Sequence, residues 1–163
     1  MMTLLYFPKE FAIKIHDKIL DISGGHGGIK DLGNIDSPLY HIQNDLYYPF
    51  IEDKLTHLVF CFNKFHAFND GNKRTSVALG AFFLQTNGLA GIVTKFIREM
   101  ENIAVAVADN IISKELLHDI ITSLIYDDDY DEILKLKIFD ALNEANRDIR
   151  SDLYENNTLW DLY

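Results

Sequence analysis

His66-Ala67-Phe68-Asn69-Asp70-Gly71-Asn72-Lys73-Arg74 is a tight polar turn between two apolar stretches. Upstream, Leu55, Leu58, Val59, Phe62 and Phe65 recur at helical spacing over residues 51–65. Downstream, Val77, Leu79, Ala81, Phe82 and Leu84 make residues 72–86 a helix apolar enough for a central position. The turn thus ends where the second helix begins. A helix start gathers unpaired backbone N–H groups and the positive end of the peptide dipoles, which favours an anion. Gly71 lets a phosphate approach the backbone without a Cβ in the way. Asn72, Lys73 and Arg74 add side-chain donors, Arg as a fork and Lys as a point charge. Asp70 offers a hard oxygen for Mg²⁺. His66, read as the end of the preceding helix, faces the same cavity as a general base. A base, a metal carboxylate and a phosphate cradle within nine residues point to phosphoryl or nucleotidyl transfer. A capped turn with a surface histidine fits the same residues, and on these grounds alone both readings stand.

Working outward, the pattern stays helical. Phe11, Ile15, Ile19 and Ile22 predict a helix over residues 8–21, opened by Pro8. Gly24-Gly25-His26-Gly27-Gly28 ends it as a loop needing unusual backbone angles or close approach. It is not a P-loop, because no Gly-Lys-Ser/Thr follows. Residues 29–50 read as a long connection, with Asp36-Ser37-Pro38 capping a short helix through Gln43 and room for short strands. Two helices are expected near 96–110 and 114–125. Asp127-Asp128-Asp129 reads as a linker or helix start, and a stripe from Leu134 through Ile138, Leu142, Ala145 and Ile149 to Leu153 predicts a last helix over 131–154. That stripe must cover the domain body or a second chain. The fold class is all-α.

The 163 residues make about one domain, and the composition is that of a globular chain. No apolar run approaches the ~20 residues that cross a bilayer, and no secretory signal is evident. The single cysteine, Cys61, sits among apolar residues as a buried thiol, so a reducing, cytoplasmic setting is expected. His57, Cys61 and His66 form an incomplete ligand set and read as core packing rather than a metal site. The net charge of −10 divides unevenly: residues 1–126 carry 11 basic and 14 acidic side chains, residues 127–163 carry 4 and 11. Neither part has the basic stripe of a nucleic-acid binder. The expected division is a catalytic domain, 1–126, and an acidic helical extension, 127–163.

At His66–Arg74 the sequence resembles the Fic/Doc family, whose pattern runs His-x-Phe-x-Asp/Glu-Gly/Ala-Asn-x-x-Arg-like. Gly24-Gly25, Gly27-Gly28-Ile29, Asp31-Leu32-Gly33 and Ser37-Pro38-Leu39 look like the glycine-rich loop and following helix of its death-on-curing (Doc) branch. The likeness covers about residues 8–126. It implies a Fic-type helical bundle with a short β-hairpin flap, where Tyr47-Tyr48-Pro49-Phe50 would dock a target strand or simply pack under a turn. It implies that His66 deprotonates a target hydroxyl, that Asp70 holds Mg²⁺, that Gly71 and Asn72 cradle phosphates, that Arg74 binds the terminal phosphates, and that Phe68 anchors the loop. Lys73, counted with both the catalytic and the nucleotide-binding residues, marks the branch. AMP-transferring Fic proteins have Gly there and a further Arg where this chain has Val77. Gly71-Asn72-Lys73-Arg74 resembles Doc, which phosphorylates a translation elongation factor.

The expectation is a toxin transferring a group from ATP, with Mg²⁺, to a hydroxyl of a protein substrate such as a translation factor, under the control of a cognate antitoxin. Doc-type phosphorylation leads. AMP transfer and a non-enzymatic nucleotide- or antitoxin-binding module are the alternatives. No nucleic acid or membrane partner is expected, and oligomerisation would use the last helix. Ser151, Glu155 and Asn156 in that extension match Ser/Thr-x-x-x-Glu-Gly/Asn, which resembles the inhibitory helix of self-inhibited Fic proteins.

Overall fold

The computed structural model describes the backbone of residues 3–158 and the side chains of residues 3–147. Seven helices follow one another: α1 (Lys9–Ser23), α2 (Gly33–His41), α3 (Ile51–Lys64), α4 (Asn72–Thr86), α5 (Val93–Ala108), α6 (Lys114–Tyr126) and α7 (Glu132–Thr158). A 3₁₀ turn, Ala90–Ile92, leads into α5. α4 is central, packed on α1, α3 and α5, and α3 also carries α2 and α6. Its burial on several sides follows from its composition: Val77, Leu79, Gly80, Ala81, Phe83 and Leu84 are all buried. Gly80 is required there, because a Cβ would stand 2.9 Å from the Phe96 ring and 3.0 Å from Val59.

Local chemistry sets the helix ends. Asp53 accepts the Phe50 N–H at 3.0 Å at the start of α3. Ser113 caps α6 by accepting the Leu116 N–H at 3.1 Å, and Asp131 opens α7 by accepting from Leu134 at 2.8 Å. Gly24, at φ 78°, closes α1 with its N–H on the Leu20 carbonyl at 2.8 Å.

Three expectations are corrected. α2 begins at Gly33, before Asp36-Ser37-Pro38, and carries Pro38 inside it. Asp31 starts it instead, accepting the Asn34 N–H on Oδ1 at 3.3 Å, while Asp31's own N–H is held by the Ala67 carbonyl at 3.1 Å. The β-hairpin flap is absent among the described residues, where the sole β-type pairing is an isolated bridge between Ile29 and Phe68. The connection 42–50 is instead a set of turns anchored by Lys54, whose buried ammonium donates to the Ile42 carbonyl at 2.6 Å and to Asp45 at 2.8 Å. Within it Tyr47 and Phe50 are exposed, and Tyr48 packs on the His57 ring. Third, His66 does not end α3. That helix stops at Lys64, and His66 stands in the loop at φ 49°, in the left-handed region.

α7 runs antiparallel to α6: Leu134 lies with Thr122 and Ser123, and Lys137 pairs with Asp119 at 3.2 Å. α6 begins beside the end of α5, where Lys64 of α3 donates to the Ala108 carbonyl at 3.4 Å. α7 therefore advances toward the end of the bundle where α3 finishes and α4 starts. Leu134 is buried, while Ile133, Leu136, Phe139 and Leu142 are exposed. Among the described residues no helix is long and apolar enough to cross a membrane.

Candidate active site

The turn between α3 and α4 is built by hydrogen bonds from distant segments. The Phe65 carbonyl accepts from the Asn34 side chain at 2.8 Å, and the Ala67 carbonyl accepts the Lys30 and Asp31 N–H groups at 2.9 and 3.1 Å. These bonds hold both flanks of His66 and sustain its left-handed backbone, a conformation that costs of order 1–3 kcal/mol for a non-glycine residue. Phe68 is buried and stacks flat on the His16 ring, centroids 3.7 Å apart. The Asn72 side chain donates to the Phe68 carbonyl at 2.9 Å and accepts the Phe68 N–H at 3.1 Å. Asn72 thus spends its side chain on the turn, and what it offers an anion is its backbone N–H in the first turn of α4.

The glycine-rich loop closes over the other side. Asn69 donates its backbone N–H to the Gly28 carbonyl at 3.1 Å and its side-chain amide to the Gly27 carbonyl at 3.2 Å. Asp70 accepts the His26 N–H on Oδ2 at 3.1 Å and the Gly71 N–H on Oδ1 at 2.7 Å. Those two backbone donors, aided by Arg74 with Nη2 4.0 Å from Oδ1, hold the carboxyl below its usual range and keep it anionic. Each oxygen keeps lone-pair capacity for Mg²⁺ alongside phosphate ligands, so Asp70 suits the ion that the family implies. Among the described residues no group of three or more His, Cys, Asp or Glu side chains is arranged to hold a metal by itself.

Arg74 donates to Ser23 Oγ and, at 3.1 Å, to the Gly24 carbonyl, so the end of α1 aims its guanidinium. His66, Asp70, Gly71, Asn72, Lys73 and Arg74 all line one cavity of about 390 Å³, closed by Asn63, Asn69 and Ala108. A second cleft of about 370 Å³ shares Lys73 and Arg74 and is otherwise mostly apolar, with Ile19, Val77, Ala78, Ile97 and Val105. Val77 is 9% exposed. Among the described residues Arg74 supplies the one guanidinium in the lining of that cleft.

Two contributors escape the motif reading, His16 and Ser23. With Leu20 they fall on one face of α1 at i, i+4 and i+7, the face against the turn. The available signal was that His16 interrupts an otherwise apolar row between Ala12 and Leu20. The side chains of Ser151, Glu155 and Asn156 lie outside the described residues, although their backbone belongs to α7.

His57 and Cys61 are not among the residues that line this cavity. Lys114 Nζ donates to His57 Nδ1 at 2.8 Å, so His57 carries its proton on Nε2, 3.1 Å from His41 Nδ1. Burial, then the charge of Lys114, then His41 lower His57 to about 4. Burial pushes the Cys61 thiol up to about 11, so it stays protonated.

The arrangement is a helical domain with a cavity at the start of α4, lined by a hydrogen-bonded carboxylate and a histidine. Residues 6–84 match the model described as the Fic/DOC family, so this segment is similar to the domain of that family. No curated protein matches the chain. Members of the family are typically nucleotide-transferring enzymes.

Proposed function

We propose that this chain is a toxin-like protein kinase that moves the terminal phosphoryl group of Mg²⁺–ATP to a hydroxyl of a target protein. The observation that carries the reading is the pairing of Lys73 with Val77: one guanidinium, Arg74, faces the cradle, and Val77 sits in an apolar cleft where AMP-transferring relatives would need a second Arg. His66 takes the proton of the target hydroxyl, whose oxygen forms the new bond to phosphorus as the bond to the ADP oxygen breaks. The first N–H groups of α4, with Lys73 and Arg74, receive the phosphate charge. Asp70 would hold the Mg²⁺, which neutralises charge on the transferred group. The preformed hydrogen bonds of Asp70 and Arg74 support this reading, because a cradle that is already organised stabilises charge without reorganisation during the reaction. The protein substrate, such as a translation factor, and a cognate antitoxin are the expected partners in a cytoplasmic setting. The exposed apolar residues of α7 offer a surface for oligomerisation.

The test is incubation of the protein with cell lysate and ATP labelled at the α- or the γ-phosphate. γ-label on a protein supports the kinase and α-label supports AMP transfer. Nucleotide binding without label transfer supports a non-enzymatic binding module.

A further inference from the structure

His16 is an unassigned histidine buried directly beneath the turn. It is fully buried, its ring is parallel to Phe68 within 5°, and Nε2 lies 2.7 Å from the backbone carbonyl oxygen of Asp70. A carbonyl only accepts, so Nε2 carries the proton and donates. Nδ1 faces the Asp17 carboxylate at 3.2 Å. We propose that His16 is a positioning residue that sets the Asp70–Gly71 peptide through this one hydrogen bond, an inference that rests on the reading of Asp70 as the carboxylate of the Mg²⁺–nucleotide site.

The geometry explains why the bond matters. Gly71 stands at φ 77°, and a Cβ on it would meet Leu20 at 3.1 Å and His16 Nε2 at 3.5 Å, so α1 forms the floor of the turn. With its carbonyl drawn down onto His16, Asp70 has its carboxylate free to meet the N–H groups of Gly71 and His26. Without the Nε2 donor, the carbonyl loses that partner in a part-buried place and the peptide is free to rotate. Rotation would carry the carboxylate and the first N–H groups of α4 away together. His16 would then act on ligand binding while touching no ligand, as do the outer partners that orient metal-binding carboxylates.

Two substitutions separate the donor from the ring. His16→Phe keeps a flat ring against Phe68 and removes the donor. His16→Gln removes the ring and returns an amide N–H near the place of Nε2. Each full-length variant is titrated calorimetrically with Mg²⁺–ATP beside the parent and Asp70→Ala. His16→Phe is expected to weaken binding about tenfold or more, and His16→Gln to recover most of the loss. A ring that only fills space predicts the opposite order. Parent-like binding by His16→Phe, or Gln no better than Phe, overturns the proposal. Loss in Asp70→Ala alone keeps the reading of the site and rejects the role of His16, whereas no loss in any variant rejects the reading itself. If His16→Phe does not fold, NMR of the imidazole nitrogens in the parent decides. A proton on Nε2 supports the role, and a ring protonated on Nδ1 alone overturns it.

Discussion

The Asn72 side chain gives Phe68 both of its backbone hydrogen bonds, accepting its N–H and donating to its carbonyl across the Asp70–Gly71 bend. Both groups are buried in the protein. Asn72→Ala strands them, and the expected loss is about 2–4 kcal/mol of folding stability. Chemical denaturation of the variant beside Lys73→Ala checks this. Lys73 is exposed and makes no such bonds, so its replacement is expected to stay within about 0.5 kcal/mol of the parent. Equal stabilities would show that Asn72 does not brace the turn.

Gly25 and Gly27 provide a matched pair. A Cβ on Gly25 would stand 2.6 Å from Asp70 Oδ2, at φ +130°, whereas one on Gly27 meets nothing within 4 Å. Gly25→Ala is expected to displace the Asp70 carboxylate and lower Mg²⁺–ATP affinity by about tenfold. Gly27→Ala is expected to bind like the parent. Calorimetry on both proteins reads the difference, and a parent-like Gly25→Ala would remove the glycine loop from the site.

His66→Ala is expected to keep nucleotide affinity and to lose transfer by ~10²–10⁴-fold, since the base acts on the acceptor hydroxyl. Arg74→Ala and Asp70→Ala are expected to weaken Mg²⁺–nucleotide binding, because both act on phosphate charge. Single-turnover transfer measured beside binding separates the two effects. Full transfer by His66→Ala would exclude it as the base.

His57 ties stability to pH. Its folded value of about 4 lies below the usual 6.5, so the unfolded chain binds the extra proton. This residue therefore costs nothing above pH 6.5. Its penalty grows as pH falls from 6.5 to 4 and is complete below that, on the order of 3 kcal/mol at most. Denaturation curves at pH 7 and pH 5 are expected to differ less for His57→Asn than for the parent. An identical pH slope in both would refute the assignment.

The extension is tested by Glu155→Gly and by truncation after residue 127. The resemblance to an inhibitory helix implies the expectation under test, that the carboxylate of Glu155 would compete with a terminal phosphate for Arg74. Both changes are expected to raise transfer a few-fold, the low end for such a pair, since Val77 leaves a single guanidinium to hold the carboxylate. Unchanged rates in both would leave control to a separate antitoxin.

The helices from Ile51 to Tyr126 are legible in the sequence because their apolar residues recur at helical spacing, and α4, α5 and α6 are also punctuated by Gly, Ser or Asn. α2 is less so, because its start is fixed by tertiary bonds from residues 30 and 31 to Ala67, which local pattern does not carry. The same limit hides the support of the site. His66, Asp70 and Arg74 are contiguous and show in a nine-residue window. His16 and Ser23 act from some fifty positions away, and only the packing of α1 under α4 brings them in. The left-handed backbone of His66 is also unreadable locally, since it is imposed by Asn34, Lys30 and Asp31.

The stitching of residues 26–31 to residues 67–70 has a consequence for amide exchange. The N–H groups of His26, Lys30 and Asp31 sit in a glycine-rich loop, where rapid exchange with solvent deuterium is the usual behaviour, yet each donates to the turn before α4. Their protons can leave only when the two loops part. Bound nucleotide would seat itself on the turn and oppose that parting. The protection of the three amides without ligand therefore measures the free energy of closing the cradle, and the further retardation as ligand is added measures what the ligand contributes to that closure.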